Sequence, residues 1–193
     1  MISGNGSNML SLFEELKNEP LINFALIISN NPLSPGLKKA RQLGYNCKVL
    51  EPNNNKKNFE NCLQILLVKE RIQLICLAGF MQILSSSFTR NWKKRILNIH
   101  PSLLPKFKGL NTHSRVLASG DKIHGCTVHY VNEQLDGGEI LDQTRVKITK
   151  DDTSTTLSNK VLIEEHKLYF KVVRGLITKE NQFLTNSSFQ ILS

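Results

Sequence analysis

Residues 96–109 read ILNIHPSLLPKFKG, and the rest of the chain is organised around this stretch. Side chains alternate along a strand, so Asn98 and His100 point to one face while their apolar neighbours point to the other. Pro101 keeps the residue before it extended and ends the strand. Because ligands of α/β sheets bind beyond the carboxyl ends of strands, the stretch predicts an amide and an imidazole side by side at a binding site. The alternative is a buried strand whose histidine is satisfied by a local hydrogen bond.

Apolar strand patterns alternate with amphipathic helix patterns along the 193 residues. This alternation predicts an α/β fold with a mostly parallel central sheet flanked by helices. The predicted strands are residues 23–29, 47–50, 74–78, 96–100, 126–131 and 140–148, of which the last two form a late antiparallel hairpin. We expect one domain over residues 1–193, with a polar, loosely held tail from Lys179 to Ser193.

The chain carries a formal net charge of +9. A basic surface attracts polyanions, including nucleic acid and phosphorylated metabolites. The lysines are scattered, however, and an ordinary solvated surface is an equally good interpretation. A nucleic-acid-binding module needs clustered Arg and Lys with stacking aromatics, which argues against that class. No apolar run is long enough to cross a membrane and no secretory leader is visible, so we expect a cytoplasmic protein.

The four cysteines are Cys47, Cys62, Cys76 and Cys126, and no two of them form a CxxC pair. They lie in or beside apolar segments. We therefore expect reduced, buried thiols, with neither a disulfide framework nor a metal cluster.

A glycine-rich loop, SGNGSN at residues 3–8, leads into a helical pattern. Free backbone N–H groups and the helix dipole make such a loop an anion site suited to phosphate. The alternative is that Ser7 or Asn8 simply caps the helix. Only Met1 and Ile2 precede the loop, whereas a strand typically has about 5–6 residues. The first strand is therefore expected to be truncated.

A carboxylate interrupts the apolar stripe of the last long helix, which Thr153 or Ser154 begins. Glu165 lies four residues after Val161 and four before Tyr169, on the side that faces the core. Burying a carboxylate is costly unless it is paired or bound to a ligand, so Glu165 is a candidate binding residue. The alternative places it at the solvated edge of the stripe.

Asp136 lies in the turn sequence QLDGG and forms a candidate trio with Asn98 and His100. A nearby carboxylate favours the charged imidazolium and raises the pKa of a histidine, which suits a general acid. An amide can donate to an oxygen on which negative charge develops. No Ser or Cys has the context of a nucleophile. The trio therefore predicts attack by a substrate amine on a carbonyl.

Several motifs together resemble the phosphoribosylglycinamide formyltransferase family of purine synthesis. They are SGNGSN at 3–8, AGFMQIL at 78–84, LNIHPSLLPKFKGLNTH at 97–113, HGCTVHYV at 124–131, LDGG at 135–138 and EEH at 164–166. The resemblance implies a Rossmann-like formyltransferase fold and a cytoplasmic monomer or homodimer. It implies small-molecule substrates, 10-formyltetrahydrofolate as donor and phosphoribosylglycinamide as acceptor, with no metal, nucleic acid or membrane.

The resemblance also implies a role for each candidate residue. His100 would be the catalytic acid, Asp136 would favour its protonated form, and Asn98 would bind the formyl oxygen. The acceptor would be bound through its phosphate by Gly6, Ser7 and Asn8 and through its ribose by Glu165. The donor cleft would be lined by Met81, Gln82, Ile83, Leu84 and Asn98, with Lys56 near its glutamate tail.

Two departures weaken the donor contacts that the resemblance implies. Gln82 stands where many members have Arg, and Lys56 replaces Arg and loses a bidentate fork. Two related activities also remain alternatives. A formyltetrahydrofolate deformylase would use water as acceptor, but Pro101 and the phosphate loop favour the transferase. A methionyl-tRNA formyltransferase would need a C-terminal domain for which these residues leave no room.

Overall fold

A computed structural model describes residues 1–52, 55–181 and 189–192. Its strands are β1 (Ile22–Ser29), β2 (Cys47–Val49), β3 (Leu74–Leu77), β4 (Ile96–His100), β5 (Ile123–Tyr130), β6 (Ile140–Lys147) and β7 (Phe189–Leu192). Its helices are α1 (Ser7–Leu16), α2 (Pro35–Gln42), α3 (Lys56–Lys69), α4 (Ser86–Asn91), α5 (Thr112–Ser119) and α6 (Ser154–Asn181).

The strands form one sheet in the order β2-β1-β7-β3-β4-β5-β6. The pairs β1–β2, β1–β7, β3–β7 and β3–β4 are parallel. The pairs β4–β5 and β5–β6 are antiparallel. This topology confirms the predicted Rossmann-like arrangement of a mostly parallel sheet that ends in an antiparallel hairpin.

Helices cover both faces of the sheet. Alternate strand residues enter two separate core clusters: Leu97 and Ile99 belong to one, and Ile96 to the other. The first cluster contains residues of α1, α2, α5 and α6, and the second contains residues of α3 and α4. The buried Tyr169 of α6 donates to the carbonyl oxygens of Leu77 at 3.1 Å and Leu97 at 3.3 Å, which ties that helix to two neighbouring strands.

Polar caps set the beginnings of several helices. Ser34 Oγ accepts from Leu37 N at the start of α2, where Pro35 occupies the first helical position. Thr153 Oγ1 accepts from Thr156 N at the start of α6, as the sequence predicted. These side chains satisfy N–H groups that a helix cannot satisfy internally. In the part of the chain that the structure describes, no helix has the length and hydropathy needed to cross a membrane.

Two predictions about buried side chains need correction. Cys62 is exposed on α3 and Cys47 is half-buried, so the expectation of four buried thiols is wrong. The apolar pattern of the last helix predicts Val172 and Leu176 on its buried stripe, but these two are only partly buried, and the buried residues near the end of α6 are Val173 and Ile177. Steps of four from Tyr169 keep a side chain on the same helix face, which explains that shift.

The carboxyl-terminal part of the described chain differs most from expectation. The predicted loose tail from Lys179 is wrong in part, because α6 continues to Asn181 and residues 189–192 form β7 inside the sheet. At the other end, Met1 and Ile2 form only one isolated bridge, from Ile2 to Ser29. β7 supplies hydrogen-bonding partners to β1 and β3, and buried backbone groups need such partners. Residues 182–188 and 193 lie outside the described part.

Candidate active site

A cavity of about 550 Å³ opens at the carboxyl ends of β3 and β4. The predicted site residues among those that line it are Asn8, Met81, Gln82, Ile83, Leu84, Asn98, His100, Asp136 and Glu165. Gly6, which precedes α1, and Ser7, the first residue of α1, are not among the lining residues. The exposed Lys56, which begins α3, also lies outside the lining. Most of the candidates therefore meet in one cavity. They come from the ends of strands, from the turn before β6, and from α6.

His100 is almost fully buried at the end of β4. Its Nε2 lies 3.1 Å from the carbonyl oxygen of Phe107, which can only accept, so that nitrogen carries the donated hydrogen. Its Nδ1 lies 3.5 Å from Asp136 Oδ2, an ion-pair distance. Both ring nitrogens of His100 therefore face acceptor oxygens.

Asp136 is held in place by the loop that follows β4. Its Oδ2 accepts from Gly109 N at 2.8 Å, and its backbone has a φ of 46°, in the left-handed region. A Cβ on Gly138 would overlap the carbonyl oxygen of Tyr130, so only glycine fits there. The LDGG motif thus forms a tight turn that aims one carboxylate at His100.

Asn98 is oriented by His129, a residue that the sequence analysis missed. Burial lowers the pKa of His129, which keeps the ring neutral. Its Nδ1 donates to the carbonyl oxygen of Tyr130 at 2.9 Å, so its Nε2 accepts from Asn98 Nδ2 at 3.2 Å. The second amide hydrogen of Asn98 remains for a ligand oxygen. The sequence did contain a signal for His129, since Thr127 and His129 alternate with apolar residues along β5. These two residues pair with His100 and Asn98 of β4.

Glu165 is buried beside the N-terminal loop. Asn8 Nδ2 donates to its Oε2 at 2.7 Å. Burial raises the pKa of Glu165 to about 7, although the hydrogen bond from Asn8 opposes the rise. Among the described residues, Asn8 Oδ1 is buried without a hydrogen-bond partner. A buried carboxyl group and an unsatisfied acceptor together suit a ligand that brings hydroxyl donors.

The N-terminal loop is built around glycines. Gly6 precedes α1 with a φ of 68°, and no side-chain cap occupies the start of that helix in the described structure. The predicted alternative, a cap from Ser7 or Asn8, is therefore wrong. The N–H groups of the first turn can instead bind an anion.

Gly36 holds this loop from α2 and was also missed by the sequence analysis. Its N–H donates to the carbonyl oxygen of Gly4 at 3.0 Å, and Ser34 Oγ donates to the same oxygen at 2.7 Å. A Cβ on Gly36 would lie 2.9 Å from backbone atoms of Gly4, Asn5 and Gly6. Sequence patterning contains no signal for this contact, because it joins the N-terminal loop to a helix about thirty positions further along the chain.

The mouth of the cavity is apolar. Met81 is 62% exposed and Ile83 is 64% exposed, whereas Leu84 is buried. Leu110 and Leu135 are also exposed, and they line the same cavity. Exposed large apolar side chains around a concave site are typical of a site for an apolar, flat ligand. Among the described residues, no group of His, Cys, Asp and Glu side chains is arranged to hold a metal ion.

Comparison with known proteins points to one family. A formyl transferase family model matches residues 1–173. The chain is 36% identical over 181 residues to the phosphoribosylglycinamide formyltransferase of Haemophilus influenzae, covering 90% of this chain and 84% of that protein. Its fold matches the crystal structure of the phosphoribosylglycinamide formyltransferase from Anaplasma phagocytophilum with a TM-score of 0.87 and 34% identity, over 98% of this chain and 94% of that one.

This chain belongs to the phosphoribosylglycinamide formyltransferase family. Membership confirms the resemblance that the motifs indicated and makes the chain a formyl transferase. The chain is also 42% identical over 173 residues to the trifunctional purine biosynthetic protein adenosine-3 of Bos taurus. That alignment covers 88% of this chain but only 17% of the bovine protein.

Proposed function

We propose that this formyltransferase moves the formyl group of 10-formyltetrahydrofolate to the amine of phosphoribosylglycinamide in purine biosynthesis. The observation that carries the proposal is that His100, Asn98 and Asp136 meet in one cavity, 3.5 Å separating His100 Nδ1 from Asp136 Oδ2. Both substrates are small molecules. We also propose that residues 1–193 act as one domain.

The trio supplies polarisation and proton transfer. As the amine forms its bond to the formyl carbon, the carbonyl electrons move to oxygen, and Asn98 donates its second amide hydrogen to that oxygen. When the bond to the folate nitrogen breaks, that nitrogen needs a proton and the former amine must lose one. The Nε2 hydrogen of His100 is committed to Phe107, so Nδ1 supplies the proton to the folate nitrogen, and Nδ1 of the then neutral ring takes up the proton that the amine loses. Asp136 stabilises the charged ring.

The opposite end of the cavity fits the acceptor. The loop Ser3–Asn8 and the start of α1 would bind the phosphate through Gly6, Ser7 and Asn8. Ribose hydroxyls would donate to Glu165 and to the unsatisfied Asn8 Oδ1. Hydroxyl donors favour the ionised carboxylate. Acceptor binding near pH 7 is therefore expected to release a proton from Glu165.

The apolar mouth fits the donor. Met81, Gln82, Ile83 and Leu84 would line the folate cleft, together with Leu110 and Leu135 of the same cavity. Lys56, exposed at the start of α3, would meet the anionic glutamate tail of the folate. If so, the Lys56→Ala variant raises the KM for 10-formyltetrahydrofolate without lowering kcat, whereas a Lys17→Ala variant leaves both constants unchanged.

The deciding experiment measures tetrahydrofolate release from 10-formyltetrahydrofolate with and without phosphoribosylglycinamide. Release only in the presence of the amine supports the transferase. Release without the amine, accompanied by formate, identifies a deformylase instead. No release under either condition, from a chain shown to be folded, refutes the proposal.

A further inference from the structure

The β4–α5 loop, residues 101–111, supplies the backbone groups that hold His100 and Asp136. The carbonyl oxygen of Phe107 accepts from His100 Nε2 at 3.1 Å. Two residues later, Gly109 N donates to Asp136 Oδ2 at 2.8 Å. The distance of 3.5 Å between His100 Nδ1 and Asp136 Oδ2 therefore depends on where the loop places residues 107–109.

The loop has only a few short-range hydrogen bonds to shape its first half. Ser102 N donates to the carbonyl oxygen of His100 at 2.9 Å, and Lys106 N donates to that of Leu103 at 3.1 Å. Ser102 Oγ donates to the carbonyl oxygen of Lys106 at 2.7 Å. All three bonds join residues within positions 100–106. A loop that places functional groups precisely also needs support from rigid elements around it.

Thr127 of β5 anchors the start of the loop. It is fully buried, and it pairs with His100 across the β4–β5 ladder. Its hydroxyl donates to the carbonyl oxygen of Ser102 at 2.6 Å and accepts from Leu104 N at 3.1 Å. It also accepts from Gln143 Nε2 at 2.8 Å. A hydroxyl has one hydrogen and two lone pairs, so these three bonds use its whole capacity.

Gln143 of β6 completes this anchor. Its Nε2 also donates to the carbonyl oxygen of Leu104 at 2.9 Å. Both backbone groups of Leu104 are therefore bonded to side chains of the β5–β6 hairpin. Since that hairpin belongs to the sheet, the sheet itself supports the start of the loop.

Arg115 of α5 anchors the end of the loop. Its Nη1 donates to the carbonyl oxygens of Lys108 at 2.5 Å and Leu110 at 3.2 Å, the two residues that flank Gly109. Its guanidinium carbon lies 5.7 Å from the ring centroid of Phe107, within the range of a cation–π contact. Arg115 therefore contacts the loop at the residue that holds His100 and on both sides of the residue that holds the carboxylate.

We propose that Thr127, Gln143 and Arg115 are positioning residues for formyl transfer. Through the backbone of the β4–α5 loop they set the distance between His100 and Asp136. None of the three is among the residues that line the cavity, so they act through the loop and not by touching a substrate. The inference rests on the proposed function in taking the two held side chains as catalytic, whereas the anchoring of the loop can be measured without substrate.

The first test replaces the hydroxyl of Thr127. Thr127→Val keeps the branched shape but leaves the carbonyl oxygen of Ser102 and two N–H groups without their partner, whereas Thr127→Ser keeps the hydroxyl. Because small displacements of catalytic groups are costly, kcat for tetrahydrofolate release should fall about 10–100-fold in the valine variant. The KM of both substrates should not change, and the serine variant should recover most of kcat.

Thr89→Val is the matched control for the loss of a buried hydroxyl. Thr89 is also buried and lies outside the cavity lining, and its Oγ1 donates to the carbonyl oxygens of Ser85 at 3.1 Å and Ser86 at 3.2 Å. Whatever its effect on Tm, this substitution should leave kcat unchanged. An unchanged kcat in Thr127→Val, a serine variant as slow as the valine variant, or an equal loss of kcat in Thr89→Val overturns the proposal.

A second measurement follows hydrogen exchange of the Gly109 amide by NMR in the ligand-free protein. Arg115→Met keeps an unbranched stem and removes the donors, and the control Arg145→Met changes an exposed arginine of β6. Exchange should become at least about tenfold faster in Arg115→Met and in Thr127→Val, and stay the same in Arg145→Met. Arg115 is exposed, so its variant tests the loop even if Thr127→Val fails to fold.

The two measurements separate this inference from the proposed function. Gly109 exchange that is equal in Arg115→Met and Arg145→Met shows that Arg115 does not hold the loop, and it overturns the proposal. Faster exchange with an unchanged kcat shows that the loop does not position the catalytic pair, which also overturns it. If the unsubstituted protein transfers no formyl group, the proposed function fails, and the exchange rates still decide whether these side chains anchor the loop.

Discussion

Replacing Glu165 by Gln should change how the stability of the protein depends on pH. The side chain is 7% exposed and receives a hydrogen bond from Asn8. Gln keeps the shape and the acceptor oxygen but removes the ionisation. Burial raises the pKa of Glu165 from 4.5 to about 7 in the folded protein. The substitution therefore removes one buried titration and little else.

The size and sign of the change in the free energy of unfolding follow from proton linkage. Because the pKa of Glu165 is higher in the folded protein, the folded protein binds more protons than the unfolded chain between pH 4.5 and about 7. Its free energy of unfolding therefore falls as pH rises through that window and levels off above the folded pKa. One pH unit corresponds to about 1.4 kcal/mol, so the whole effect reaches about 3 kcal/mol. The Glu165→Gln variant should lack this loss and gain stability over the unsubstituted protein as pH rises.

Urea unfolding of the ligand-free protein, followed by fluorescence of the buried Trp92, measures this difference at pH values from about 4 to about 8. The control is Glu164→Gln, because Glu164 forms a surface ion pair with Lys167 at 2.8 Å, a kind of pair that contributes at most about 1 kcal/mol. Parallel pH profiles for the Glu165→Gln variant and the unsubstituted protein would refute the reasoning. So would an equal gain in the Glu164→Gln control.

Three other substitutions test the site, and a fourth, Gly175→Ala, is the control for one of them. His100→Ala should lower kcat by about 10²–10⁴-fold with little change in folate binding, since the proton is transferred in the transition state; an equal loss of binding in a titration contradicts this role. Asp136→Asn should lower kcat with little change in folate binding, because it removes the carboxylate that lies 3.5 Å from His100 Nδ1, and an unchanged kcat argues against that role. Gly36→Ala should lower both Tm and phosphate affinity because its Cβ would lie 2.9 Å from the loop backbone. Gly175→Ala, with no neighbour within 4 Å, should instead stabilise α6 by about 0.5–1 kcal/mol, and equal effects of the two substitutions would exclude the steric explanation.

The sequence by itself determined the features that depend on local spacing. The period of two along β4 placed Asn98 and His100 on one strand face, and the period of four along α6 placed Glu165 toward the core. Glycines before a helix predicted the loop at Gly6. The motifs of the sequence also indicated the family. Each of these features is encoded within a few consecutive residues, so no knowledge of distant parts of the chain was needed.

Only the tertiary structure decided the features that join distant segments. His129 reaches Asn98 because β5 lies antiparallel to β4, and Gly36 reaches the N-terminal loop because α2 packs against it. Part of the tail that was predicted to be loosely held forms β7, because its backbone pairs with β1 and β3. The composition of the tail gave no sign of these partners. Local propensity describes a segment alone, whereas backbone pairing and close packing depend on which other segments lie beside it.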